Sequence, residues 1–206
     1  MKIQPVVEGD GEVHAVPVLL RRLIDACGAY DVGVGRPIKR TRHQLTNEFE
    51  LARSVRLAGM QDDCAAILVL LDADNDCPKE LAPTLRGWAN SAAAGVPCAV
   101  VMAEREFEAW FLAAIESLRG TKGILDDALP HPDPETPRGA KERLEERMAP
   151  GRTYSETADQ ASLTATFDLA VAYQGCRSFR TLVTSFGSIL AAAGRPLAEW
   201  PPADWK

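Results

Sequence analysis

Three things are missing from this 206-residue chain, and each absence removes a class of function. The five cysteines (Cys27, Cys64, Cys77, Cys98 and Cys176) are odd in number, scattered and never in a C-x-x-C pair. That excludes a disulfide framework and a zinc knuckle and leaves buried thiols. No apolar run approaches the roughly 20 residues of a membrane-spanning helix; the most apolar, residues 65–71, is strand-sized and ends in charge. The N-terminus Met-Lys-Ile-Gln-Pro shows no signal-peptide pattern, so a cytoplasmic protein without membrane association is expected. A basic excess is missing as well: 23 Lys and Arg against 29 Asp and Glu give a formal charge of −6, unlike domains that coat nucleic acid unaided.

What is present is enough apolar residue, 46%, to bury one good core. Four short apolar runs, residues 3–8, 30–35, 65–72 and 97–103, alternate with helical patterns at 13–27, 47–59, 81–94 and 107–118. Asn47 with Glu50 three residues on reads as a capping box, and Gly28 and Gly59 stand where helices end. Continuous apolar strands separated by helices predict an α/β fold: a Rossmann-like, four-stranded, mainly parallel sheet flanked by helices. That core is expected over residues 1–119. A proline-rich loop follows over 120–137 (Pro130, Pro132, Pro134, Pro137), then a helical extension over 138–193 with helices at 139–148, 160–173 and 179–192, and a loose surface tail over 194–206.

Ligands of open parallel sheets bind outside the carboxyl ends of the strands, and there the acids of this chain fall. Glu8 closes the first strand, Asp72 and Asp74 the third, and Glu104 the fourth, with Glu106 and Glu108 just beyond. Residues 72 and 74 point to one side as long as the chain stays extended. Carboxylates this close repel one another unless a cation holds them ionised, so a hard divalent cation, Mg2+ or Mn2+, is the expected occupant. Gly9 and Gly11 would bring the backbone close to the ligand's phosphate. The competing reading, acids favoured at helix N-termini, suits Asp76 and Glu12 best. G-D-G-E-V-H lacks the third glycine of a dinucleotide fingerprint and the Gly-Lys-Ser/Thr of a P-loop. A haloacid-dehalogenase D-x-D would belong on the first strand, where Glu8 stands instead.

VVEGDGE followed by a hydrophobic strand ending in LLDADND resembles the TOPRIM domain of topoisomerases, primases and OLD-type nucleases. With AEREFEAWFLA, the lysine of GAKERL, and YSETADQASLTA followed by CRSF, the chain is similar to a bacterial family of TOPRIM-like domains of unknown function, to about residue 185. The resemblance implies a metal-dependent nuclease or phosphodiesterase. Glu8 would do acid/base work and bind metal, Asp72 and Asp74 would hold Mg2+, Glu12 and Glu108 would bind a second ion with Glu104 in reserve, and Lys141 would sit at the scissile phosphate. A separate ATPase partner in anti-phage defence is also implied. Arg36, Lys39, Arg40 and Arg42 would neutralise substrate phosphates. A second basic stretch, Arg138, Lys141, Arg143, Arg147 and Arg152, reads equally as a solvated helix face paired with Glu142, Glu145 and Glu146. Trp110 reads as a packed residue. DNA, RNA and a small phosphoester remain open as substrates, as do homo-oligomerisation and a non-catalytic scaffold or sensor role.

Overall fold

The computed structural model describes residues 1–136 and 138–206; Pro137, counted above in the proline-rich loop, lies outside the described residues. In chain order the elements are β1 (Lys2–Val7), α1 (Asp10–Cys27), β2 (Gly33–Val34), β3 (Ile38–Lys39), α2 (Arg42–Leu45), α3 (Glu48–Gly59), β4 (Cys64–Asp72), α4 (Pro78–Ala92) and β5 (Cys98–Ala103). Then follow α5 (Ala109–Ala113), α6 (Ala140–Glu145), α7 (Ala161–Thr166), α8 (Leu169–Gly175) and α9 (Arg177–Ala192). The strands form one parallel sheet in the order β2-β1-β4-β5, with β3 pairing β1 farther along.

Both faces of the sheet are covered. Ile3, Val7, Leu68, Leu70 and Val101 point into a core shared with α1 and the C-terminal helices, while Val6, Ile67, Val69, Leu71 and Met102 point into a second core under α3 and α4. That alternation is the period-2 geometry of strands, and burial on both sides is why the runs looked uniformly apolar. Among the described residues no helix is long and apolar enough to cross a membrane.

Four local readings change. The expected strand at 30–35 shrinks to Gly33–Val34, and a second short piece, Ile38–Lys39, follows beyond it: Pro37 offers no ladder N–H, and Gln4 Nε2 fills the gap by donating to the Arg36 carbonyl at 2.5 Å. α1 begins at Asp10, three residues earlier than its apolar periodicity suggests. The expected helix at 160–173 breaks at Asp168, whose carboxylate accepts from the N–H groups of Ala170 and Val171 at 2.8 and 3.0 Å. A side-chain cap there outweighs continuous periodicity. Finally, the tail is not loose. Trp205 is 6% exposed, and Trp200 stacks on Phe186 and donates from Nε1 to the Val183 carbonyl at 2.7 Å.

The C-terminal helices are tied to the sheet layer through α1. Arg22 donates to the carbonyls of Thr164 and Phe167 at 2.8 and 2.7 Å, and its guanidinium lies over the Phe167 ring.

Candidate active site

β4 lies between β1 and β5, so the residue at its carboxyl end stands about one strand spacing, ~4.8 Å, from those at the ends of the other two. Glu8 follows β1, and its Oε2 accepts from the Asp72 N–H at 3.3 Å. Asp72 ends β4 in register with Ala103, and its Oδ1 accepts from the Phe107 N–H at 2.9 Å, which locks the turn after β5. That turn buries Glu108 completely. Glu12, in the first turn of α1, is 6% exposed.

The fourth wall comes from residues 154–160, a polar stretch to which the sequence reading assigned no role. Tyr154 Oη donates to Glu108 Oε1 at 2.7 Å, and Gln160 Nε2 donates to the same oxygen at 3.1 Å. Lys141 Nζ pairs with Glu156 Oε1 at 2.6 Å, and the Lys141 N–H is held by Glu106 Oε2 at 3.0 Å. The segment is anchored by buried Asp159, which accepts from Arg152 at 2.7 Å and from the Ser155 N–H at 3.1 Å. The only sequence signal for these residues was the motif YSETADQ itself, since no spacing rule links it to strand ends 50 or more residues away.

Three buried oxygens in this pocket have no hydrogen-bond partner: Glu12 Oε2, Glu108 Oε2 and Gln160 Oε1. The glycines are explained by the same oxygens. Gly9 has an ordinary extended backbone as the residue capping α1, and Gly11 lies inside that helix. A Cβ on Gly9 would strike the Glu12 carboxylate, and one on Gly11 the Gln160 amide oxygen. The two glycines therefore make room for side-chain oxygens.

Burial and crowding push these acids upward. Glu108 is raised to about 7, chiefly by burial, against the pull of Lys141 and the Tyr154 hydroxyl. Asp72 is raised well above the carboxylate range by burial and then by Glu108 and Glu12. Glu8 and Glu12 are raised, first by burial. Burial lowers Lys141, but Glu108, Glu156 and Asp72 outweigh it, so its net shift is upward and it stays protonated. Between the unfolded and folded carboxyl values, the folded protein binds more protons than the unfolded chain, so its stability falls as pH rises through that window. Without added metal, Tm is therefore expected to be about 5 °C higher at pH 6 than at pH 8. Glu108→Gln should shrink that difference in scanning calorimetry.

The other half of the expected carboxylate set is arranged differently. β4 ends at Asp72, and Asp74 takes a left-handed φ of 49°. The chain is no longer extended there, so Asp74 does not project beside Asp72 as expected from their two-residue spacing. Asp74 instead meets Arg42, whose Nε lies 3.3 Å from Asp74 Oδ2. The same guanidinium reaches Asp76 Oδ2 at 2.5 Å and Glu8 Oε2 at 3.7 Å, and donates to the carbonyls of Asp72 and Ala73. Among the described residues no group of three His, Cys, Asp or Glu side chains is arranged to hold a metal ion.

The remaining expected phosphate contacts are dispersed. Lys39 pairs with Asp10 at 2.6 Å. Arg40 donates to Ser54 Oγ and to the Lys39 carbonyl, while Arg36 is exposed. Glu104 lies apart from the pocket, facing a cleft beside β5.

Metal chemistry can be tested against the donors present. Glu12 and Glu108 offer hard, buried, unpartnered oxygens of the kind Mg2+ or Mn2+ takes, but with Asp72 they do not stand as a set of three arranged around an ion. The Glu8–Asp74 side does not fit as it stands, because a guanidinium occupies it.

A family model described as domain of unknown function DUF4276 matches residues 7–186. The chain belongs to this family. No curated protein and no solved structure matches it. The DUF4276 match starts one residue before Glu8 and runs past Gln160, so the whole pocket lies inside the family's span.

Proposed function

We propose that this DUF4276 chain is a metal-dependent phosphodiester hydrolase of TOPRIM type that acts on nucleic acid and works beside a separate ATPase in anti-phage defence. One observation carries the enzymatic part: Glu8, Glu12, Glu108 and Lys141 crowd around Asp72 at the carboxyl edge of the sheet, with a carboxylate oxygen of Glu12 and one of Glu108 left unpartnered. The TOPRIM assignment and the ATPase rest on the resemblance carried by VVEGDGE and LLDADND.

Glu12 and Glu108, with Asp72 beside them, are the residues that would hold Mg2+ or Mn2+. When bound, the ion supplies Lewis acidity toward a phosphoryl oxygen. Glu8, whose proton affinity is raised by burial, accepts a proton from the attacking water. Lys141, held protonated among Glu108, Glu156 and Asp72, offsets charge growing on the phosphate oxygens. Tyr154 and Gln160 fix Glu108 through Oε1 and so leave Oε2 aimed at the pocket.

The test is incubation with supercoiled DNA, single-stranded DNA and tRNA under Mg2+ or Mn2+. Asp72→Ala is expected to lose cleavage by at least ~100-fold, and equal cleavage by the variant and the wild type would remove this pocket from the reaction. A second reading, a non-catalytic scaffold or sensor, is favoured by Arg42, which ties together Glu8, Asp74 and Asp76. Calorimetric titration with Mg2+ and Mn2+ separates the two readings: no heat of binding in the wild type favours the scaffold.

A further inference from the structure

The face beside β5 is lined quite differently from the acidic pocket. Between α4 and α9, at the outer edge of β5, lies a cleft of about 180 Å³ floored by Val100 and Met102. Three cations frame it: Lys79 and Arg86 from α4 and Arg177 from the start of α9. All three are exposed, and among the described residues none of them is in an ion pair, whereas Lys39, Arg42, Lys141 and Arg152 all are. The one carboxylate lining the cleft is Glu104. Glu135 adds a second carboxylate at the α9 end, where it accepts from the Arg177 and Ser178 N–H groups at 2.7 and 2.8 Å, so three cations still outnumber two acids in a chain whose net charge is −6. Like charges on long side chains spread apart in water unless something holds them together. Here the α4 and α9 backbones hold them around one hollow.

A second hollow of about 250 Å³ continues along α9 and shares Arg177 and Thr181 with the first, adding Thr184 and Ser185. Arginine, lysine, serine and threonine are the side chains that contact phosphate and sugar without reading sequence. The cleft reaches the same carboxyl end of the sheet as the acidic cluster, by way of β5. Asp72 pairs with Ala103, and Glu104, the next residue, already lines the cleft. Strand alternation sends Asp72 to the α1 face and Glu104 to the α4 face, so a strand of substrate crossing the carboxyl end of β5 would reach from one to the other.

We propose that this cleft seats the phosphates flanking the scissile one on a single-stranded nucleic-acid substrate; this rests on the hydrolase reading of the adjacent pocket. The acidic pocket cannot attract a polyanion by its own charge, so the cations beside β5 supply the attraction. The apolar floor takes the sugar or base face of the strand.

The experiment is fluorescence anisotropy with a labelled DNA or RNA oligomer of about 20 nucleotides, in EDTA, at several salt concentrations. It compares the wild type with Lys79→Ala/Arg86→Ala/Arg177→Ala. Binding by the triple variant is expected to weaken by about tenfold or more, and the slope of log K against log salt to fall by about 2, since each phosphate contact on a single strand contributes ~0.7. Hydrolysis of bis(p-nitrophenyl) phosphate, too small to span both sites, should be unchanged. Should the triple variant melt well below the wild type, Lys79→Gln/Arg86→Gln, confined to the exposed face of α4, is expected to lower the slope by about 1.4. Unchanged affinity and slope in the variants, or no binding by the wild type, overturns the cleft, even where the wild type cleaves. Binding lost in the variants while the wild type hydrolyses nothing supports the cleft and overturns the hydrolase reading alone.

Discussion

Glu8→Gln is expected to lower the metal-dependent hydrolysis rate by roughly 10²–10⁴-fold, the usual loss when a positioned general base is removed. The substitution suits the site. Glu8 Oε2 accepts from the Asp72 N–H at 3.3 Å, and a glutamine oxygen can accept the same bond, so β1 and β4 stay in place. The proton acceptor is lost. Because the carboxylate acts on the reaction rather than on ground-state binding, the loss should appear in kcat with little change in KM. Glu8 titrates above the usual carboxylate value because it is half-buried, so the acid limb of the wild-type pH–rate profile should lie above the usual carboxylate range and be absent from the residual activity of the variant. Calorimetry with Mn2+ gives the control: binding that persists in Glu8→Gln assigns the ion to Glu12, Asp72 and Glu108. A rate equal to wild type would remove Glu8 from the chemistry.

Trp110→Ala is expected to destabilise the fold by about 3–5 kcal/mol, the range for truncating a buried large aromatic, and to lower Tm by roughly 10 °C or more. Trp110 is fully buried, with ring centroids 4.5 Å from Phe107 and 5.1 Å from Phe179. Phe111 and Phe167 extend the same cluster, which joins the β5–α5 turn to α7 and α9. The indole Nε1 also donates to Ser178 Oγ at 2.8 Å, and that hydroxyl donates to Glu135. Alanine would leave a cavity and remove a donor at once. Trp110→Phe keeps most of the packing and should cost less than half as much in urea or thermal unfolding. Since Glu108 is only two residues away in the same turn, the alanine variant should also lose activity below its melting transition.

The parallel sheet was legible because its signals are local. The apolar runs of β1, β4 and β5, helix-ending Gly28 and the Asn47 cap were each confirmed where the pattern placed them. Trp110 read correctly as a packed residue because its neighbours Phe111 and Leu112 share its burial. Local patterns failed where a side chain from elsewhere in the chain competed with them. Gln4 replaced strand pairing at Arg36, and Asp168 cut one apparent helix in two. The tail, polar and proline-rich in sequence, was held down by two tryptophans packing on α8 and α9. Asp72 and Asp74 diverged because β4 stops between them, and an i, i+2 relation holds only in extended chain.

The sequence by itself determined that carboxylates would stand at the carboxyl ends of β1, β4 and β5, because strand ends are set by neighbouring residues and by where apolar runs give way to charge. Only the tertiary structure decided which of those acids face one another and which are neutralised. Arg42 reaches Asp74 and Asp76 from 30 or more residues away, and Tyr154 and Gln160 reach Glu108 across 46 and 52 residues. Contacts at such separations arise from helices docking on the sheet through buried apolar surface, which brings together polar groups that no local spacing relates.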